Sequence, residues 1–244
     1  MECKGEIIVK ANANVAIIAS LVSEPSRAAI LTALLDGRFH PASELAYMAG
    51  IKPQTASFHL AKLSEADVVR VEKHGRHRYY GIRNQEVAHV METMLSIAPP
   101  PVISSLKQSV EDKAVRYART CYDHLAGFAG VQVTEGLLAR GLLIKGEKEF
   151  AVTANGEQFL ADVGIDLGRT RAKRRSFSHC CLDWSERRHH LAGALGHALL
   201  DKWLELRWIQ RLTGTRAVTV TAAGKQGFKD LFGMDLEREP GSDS

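Results

Sequence analysis

Side chains able to do chemistry gather in two places in this 244-residue chain. The first is a set of thiols and imidazoles in the second half: Cys121 with His124 three residues on, then His179, Cys180 and Cys181, then His189 and His190. Thiolate sulfur and neutral imidazole suit borderline metals such as zinc, and a thiol beside an imidazole base can also act as a nucleophile. Cys121, His124, Cys180, Cys181 and His190 are therefore the candidate metal- or thiol-sensing set, although their spacing matches no standard zinc pattern. The competing expectation is that Cys121 and Cys181, in equivalent Cys-x-Asp positions, are small buried hydrophobes, with His124 and His190 satisfying backbone groups at helix ends. A catalytic version would use Cys181 or Cys180 with His190 or His189 as base and Asp183 as orienter. The chain has no nucleophile elbow, phosphate-cradling glycine loop or zinc-hydrolase helix, so it is expected not to be an enzyme. No cofactor is named by these residues.

The second place is polar and basic: Gln54, Thr55, Ser57, His59 and Lys62, then Lys73, Arg76 and Arg78. The net charge is only +4, with a pI near 8.9, which permits a polyanionic partner without demanding one. Its distribution says more. Between Lys52 and Arg83 there are seven Lys/Arg against three acids, whereas residues 1 to 51 carry four against five. Positive charge thus collects around these side chains, and phosphate is its natural counter-surface.

The elements that position this second set are readable. Val15, Ile18, Ala19 and Val22 recur at helical spacing after Asn14. Pro25 opens a second helix with Ile30, Leu31, Leu34 and Leu35 on one side, ending at Asp36-Gly37. Ser43 is expected to cap a short helix that stops at Gly50, and Pro53 opens another three residues later, a helix-turn-helix. The last helix buries Ala56, Leu60 and Leu63 and leaves Gln54, Thr55, Ser57, His59 and Lys62 to enter a major groove. The alternating stretch VVRVEKHGRHRYYGI reads as two strands joined by the turn Lys73-His74-Gly75-Arg76. Residues 84 to 97 return to helix, and the stripe Val87, Val90, Met91, Met94, Leu95 is expected to be a dimer seam.

The segments SEPSRAAILTALLDG, SELAYMAGIKPQTASFHLAKLSEADVV and EKHGRHRYY resemble the ArsR family of winged-helix repressors over about residues 12 to 97. The resemblance implies a homodimer joined through its first and last helices, bound to a palindromic double-stranded operator and released by an effector. Many members sense metal through a cysteine pair on the helix before the recognition helix, but the matching stretch Glu44 to Met48 has no thiol. A second familiar site uses carboxylates and histidines on the last helix, where residues 84 to 97 supply only Glu86, His89 and Glu92. Neither familiar metal site is expected here.

Pro99-Pro100-Pro101 marks a boundary. Beyond it, Leu106, Val110, Tyr117, Cys121 and Leu125 recur at threes and fours, predicting one long helix from Val102 to Leu125 with Cys121 and His124 on a single face. An internal echo follows: HLAG at His124 and at His190, TANG at Thr153 against TAAG at Thr221, GIDL at Gly164 against GMDL at Gly233. Each copy runs from apolar helix to hairpin to a short helix opened by threonine. Between the copies, Arg169, Arg171, Lys173, Arg174 and Arg175 form a basic cluster, a solvated loop or an anion contact.

The expected fold is mainly α with small β-hairpins (α+β): a winged helix-turn-helix DNA-binding and dimerisation domain over 1–98, a first repeat over 102–167, a basic linker over 168–189 and a second repeat over 190–238. Its 45% hydrophobic content suits a globular chain. No run of 18 apolar residues occurs, the start MECKGEIIVK has no secretory stretch, and four cysteines do not make a disulfide framework. A cytoplasmic regulator with reduced thiols and no membrane partner is the expectation.

Overall fold

The computed structural model describes residues 14–234 and 236. The first thirteen residues, with Cys3 and the whole of MECKGEIIVK, lie outside the described residues, as do Asp235 and 237–244.

Helix α1 (Val15–Val22) is capped by Asn14, whose side chain accepts the Ala16 N–H. Helix α2 (Pro25–Leu34) starts on Pro25, whose missing N–H is no loss at a first turn, while the Glu24 carboxylate accepts from Ser26 and Arg27. After the Asp36-Gly37 turn come β1 (His40–Pro41), α3 (Ala42–Met48), α4 (Pro53–Glu65), β2 (Val69–His74), β3 (His77–Ile82) and α5 (Gln85–Ile97). The three strands form an antiparallel sheet in the order β1-β3-β2. Ser43 does not cap α3: the helix begins one residue earlier, after Pro41, without a side-chain cap. The helical periodicities bury the residues they predicted, Ile30, Leu31, Leu34 and Leu35 of the α2 segment and Ala56, Leu60 and Leu63 of α4.

The α5 stripe is divided. Met91 is buried in this core and Val87, Met94 and Leu95 pack against it, while Val90 and Ile97 stay exposed. Ala88 belongs to the same core, and with Glu92, which pairs with Arg216, it also lines a small cavity beside Cys121.

The long helix expected from Val102 to Leu125 is not formed. Helix α6 (Leu106–Tyr117) stops early, and the chain enters a hairpin of β4 (Arg119–Cys121) and β5 (His124–Ala126). Tertiary pairing overrides the spacing here: the Thr120 N–H is taken by the Arg216 carbonyl, Arg119 bridges to Ala217, and all three β4 residues are buried. Tyr122, at φ +58°, makes the turn. Then follow α7 (Gly127–Ala139), β6 (Leu143–Lys145), β7 (Phe150–Val152), α8 (Ala154–Asp162) and α9 (Leu167–Arg171). The second copy comprises β8 (His179–Leu182), β9 (His189–Ala192), α10 (Gly193–Glu205), β10 (Ile209–Arg211), β11 (Val218–Val220) and α11 (Ala222–Phe232).

The echo in the sequence is thus hairpin, helix, hairpin, helix, twice. Thr153 and Thr221 cap α8 and α11 by accepting the N–H groups of Gly156 and Gly224, each 3.0 Å away. The stretch 168–189, expected as a linker, contains most of α9 and all of β8. Leu125, Val133, Leu137, Phe150 and Leu160 of one copy share a core with Leu191, Leu195, Leu199, Trp203 and Phe228 of the other, so the copies fold against each other.

The two halves are tied by directed contacts. The Tyr122 N–H donates to the Leu35 carbonyl at 2.6 Å, and a Cβ on Gly37 (φ +75°) would stand 2.2 Å from the Tyr122 oxygen. Arg211 donates to the Asp36 carbonyl and Arg187 to that of Ser96. Glu92 of α5 pairs with Arg216 at 2.5 Å, both 6% exposed. Burial alone would raise the Glu92 carboxyl, but the Arg216 and Arg119 charges hold it below its ordinary value. Arg216→Met should therefore lose about 3–5 kcal/mol by leaving a buried carboxylate unpaired, and a Glu92→Leu/Arg216→Met double variant should recover most of it. Urea unfolding of the three proteins reads the difference.

Candidate nucleic-acid interface and buried cysteine-histidine quartet

Helix α4 presents Gln54, Ser57 and Lys62 to solvent, with Thr55 half-exposed, and Lys73, Arg76 and Arg78 are exposed on the β2–β3 hairpin. His59 is a correction. It is 7% exposed, its Nε2 3.5 Å from a Glu24 oxygen and its Nδ1 3.4 Å from Arg27 Nη1. Three residues after Ala56 and four before Leu63, it shares their buried face and clamps α4 to α2. That spacing was the signal available in the sequence. Phe58, which the sequence reading passed over, is instead 57% exposed, with Lys62 Nζ 4.5 Å above its ring. In the hairpin Lys73 stands directly opposite Arg78. Two like charges facing each other across an antiparallel pair repel, a cost that a polyanion between them removes.

Beneath the helix-turn-helix, buried His40 joins three elements. Its Nε2 lies 2.8 Å from Asp36 and its Nδ1 3.0 Å from Glu44, while Arg38 donates to Asp36 at 2.7 Å. Burial alone would lower the His40 pKa, but the hydrogen bonds and charges of Asp36 and Glu44 raise it; burial likewise works against charge on Asp36, and His40 and Arg38 hold it below its ordinary value.

The thiol and imidazole set separates cleanly. Cys121 lies opposite His124 across β4–β5, and Cys181 opposite His190 across β8–β9, so each hairpin offers one sulfur and one imidazole side by side. The hairpins pack face to face through Cys121, Ala126, Cys181 and Ala192. One ligand atom from each of Cys121, His124, Cys181 and His190 falls within 4.8 Å of all the others, and all four residues are buried. The sulfurs are 3.8 Å apart and the two Nε2 atoms 3.1 Å apart. The His124 Nδ1 faces Asp123 at 3.4 Å, and the His190 Nδ1 makes an ion-pair contact with Asp183 at 3.3 Å.

Asp183 also accepts the Gly127 N–H and the Arg119 guanidinium, at 2.7 and 2.9 Å. Burial works against its charge, yet His190 and Arg119 hold it far below the carboxylate range. Burial likewise opposes charge on His190, and Asp183 and Cys121 outweigh it, raising the imidazole to about 9. The Cys121 thiol is pushed well up by its hydrogen bond with Cys181 and by burial.

Cys180, the fifth candidate, does not join: it pairs with Leu191 and packs against the larger core. His189 points toward Lys145, and His179 stacks edge-on beside His124 at 6.3 Å. The helix-face pairing expected for Cys121 and His124 is replaced by cross-strand pairing. Of the basic cluster, Arg171 pairs with Glu157 and Arg175 with Asp123.

Helix α4 in front of a basic antiparallel wing, on a three-helix core, defines a winged helix-turn-helix protein. The helix-turn-helix domain family HTH_20 matches residues 22–72. Over 225 residues, 92% of this chain and 100% of the relative, the sequence is 55% identical to the uncharacterized HTH-type transcriptional regulator YdfF of Bacillus subtilis (strain 168). The chain belongs to the HTH-type transcriptional regulators. Among solved structures it is similar to HlyU from Vibrio cholerae N16961 (24% identity, 33% of this chain and 86% of that one, TM-score 0.31). It is similar also to the cadmium metal-sensor CMTR from Mycobacterium tuberculosis (25% identity, 37% and 98%, TM-score 0.30).

The His40 geometry carries a pH signature. A raised folded pKa makes its stabilisation complete below the unfolded value of about 6.5 and lost as pH rises through the folded value. The Asp36 contribution runs the other way, present above about 3.9 and lost as pH falls through its lowered folded value. The stability gap between wild type and His40→Gln, measured by urea unfolding, should therefore narrow from neutral toward alkaline pH. A gap that widens there would reverse the assignment.

Proposed function

We propose that this regulator works as a homodimer on a palindromic operator, as a repressor that lets go when an effector binds its second half. The observation carrying the reading is the solvent-facing set Gln54, Thr55, Ser57 and Lys62 on α4, beside a wing where Lys73 and Arg78 oppose each other and Arg76 stands at the tip. α4 supplies base contacts and the wing phosphate or minor-groove contacts. Exposed Phe58 adds an apolar surface fit for a thymine methyl group. Val15, Ile17 and Ile18 of α1 and Val90 and Ile97 of α5 stay exposed, and burying them against a second copy supports a twofold dimer with recognition helices about 34 Å apart.

The favoured effector is one read by cysteine and histidine, because the quartet adjoins Glu92 of α5 and its hairpin turn sits on the end of α2. Effector and operator then oppose each other by linkage.

A mobility-shift assay on the intergenic DNA upstream of the gene, repeated across salt concentrations, tests the reading. Affinity should fall steeply with salt, and Lys73→Ala or Arg76→Ala should each flatten the log–log slope by about 1 while weakening all sequences alike. Gln54→Ala should cost about 1–3 kcal/mol at one operator position and relax its base preference. A flat salt response in the wild type overturns the proposal.

A further inference from the structure

The hairpins β4–β5 and β8–β9 are sixty-odd residues apart in sequence, yet they meet with their sulfur and imidazole groups converging on one point. We propose that Cys121, His124, Cys181 and His190 form a tetrahedral Cys2His2 site for one divalent zinc-class ion, clasping the two repeats together against α5. This deepens the effector reading given above by naming residues and ligand class, but metal uptake is measured without DNA and stands or falls separately.

The metric fits. Sulfurs about 2.3 Å and nitrogens about 2.05 Å from one tetrahedral centre stand about 3.8 Å and about 3.3 Å apart. The observed separations are 3.8 Å for Cys121 and Cys181 and 3.1 Å for the two Nε2 atoms. A disulfide would need its sulfurs at about 2.05 Å and would leave the imidazoles unexplained. Two Nε2 atoms facing each other can share only one proton, whereas a metal accepts the lone pair of both.

Orientation fits as well. Each ring turns Nε2 inward and Nδ1 toward an aspartate of its own hairpin, Asp123 or Asp183. A carboxylate behind each imidazole is the usual support of a metal-bound histidine, fixing its tautomer and direction. Charge is balanced too, since two thiolates neutralise a divalent ion, which suits a wholly buried site. The four soft or borderline ligands favour zinc over calcium or magnesium, which seek oxygen. With four protein ligands the coordination sphere is closed, as in sites that hold a fold together, and no position is left for a reacting water.

The full-length chain, purified under reducing conditions, tests the site by elemental analysis and by adding Co2+ after chelation. The expected results are one zinc per chain, then the strong ligand-field absorption of tetrahedral cobalt with a thiolate charge-transfer band. Cys121→Ser, Cys181→Ser and His190→Gln should each weaken Co2+ binding at least about tenfold, whereas Cys180→Ser keeps the spectrum unchanged. Because ligand variants can misfold, wild type is also melted after chelation: its Tm should fall and return on adding Zn2+. The proposal is overturned by a weak octahedral spectrum, by a spectrum that survives Cys121→Ser, or by one lost in Cys180→Ser. A Cys121–Cys181 disulfide whose reduction restores no metal uptake overturns it equally. An intact cobalt spectrum in protein that binds no operator either with metal or after chelation supports the site and removes the DNA reading instead.

Discussion

Charge buried at the seam between the halves is what the remaining geometry answers to. Glu92, Arg216, Arg119 and Asp183 are each no more than 6% exposed, and taking such groups out of water costs several kcal/mol apiece unless each finds its partner. They find one another. Glu92 meets Arg216, whose carbonyl accepts from Thr120 in β4; Arg119 of the same strand meets Asp183, stacks its guanidinium 4.4 Å from Trp184, and leaves Asp183 free to face His190. A displacement of α5, of either ligand-bearing hairpin or of the β10–β11 connection would expose an unpaired charge to a medium of low dielectric. The arrangement therefore fixes position more than it adds stability.

This seam joins the quartet to the winged half by direct contacts. The Tyr122 turn rests on Leu35 and Gly37 at the end of α2, and α5 contributes Glu92 to the wall beside Cys121. Helix α2 is clamped in turn to α4 through Arg27, His59 and Glu24. A continuous series of packed and hydrogen-bonded groups thus runs from the buried sulfurs to the helix that carries Gln54 and Lys62, without passing through the exposed wing.

Much of this was legible in the residues, for identifiable reasons. The winged half obeys local rules: proline at first turns, glycine at a positive φ, apolar residues every three or four, and so its helices and wing could be placed from sequence. His59 was misplaced because its polarity was weighed above its position in the 56-60-63 face. The stretch from Arg119 to Ala126 was misread because Tyr117, Cys121 and Leu125 fall at helical intervals, while the interactions that decide its structure, with residues 183, 190 and 216, lie far along the chain. The quartet was half visible. The repeated HLAG and Cys-x-Asp segments flagged Cys121, His124, Cys181 and His190 as equivalents, but neighbouring strand residues point to opposite faces. Only the pairing register, Cys181 opposite His190, decides that Cys181 and not Cys180 turns inward.

Because each hairpin carries half of the quartet, order of synthesis matters. While the chain is being made, Cys121 and His124 emerge first and wait through some sixty residues, with the whole of α7, α8 and α9 still to come, before Cys181 and His190 arrive. The quartet therefore cannot be complete until β9 has been made, and until then Cys121 and His124 lack the sulfur and imidazole that face them in the folded chain.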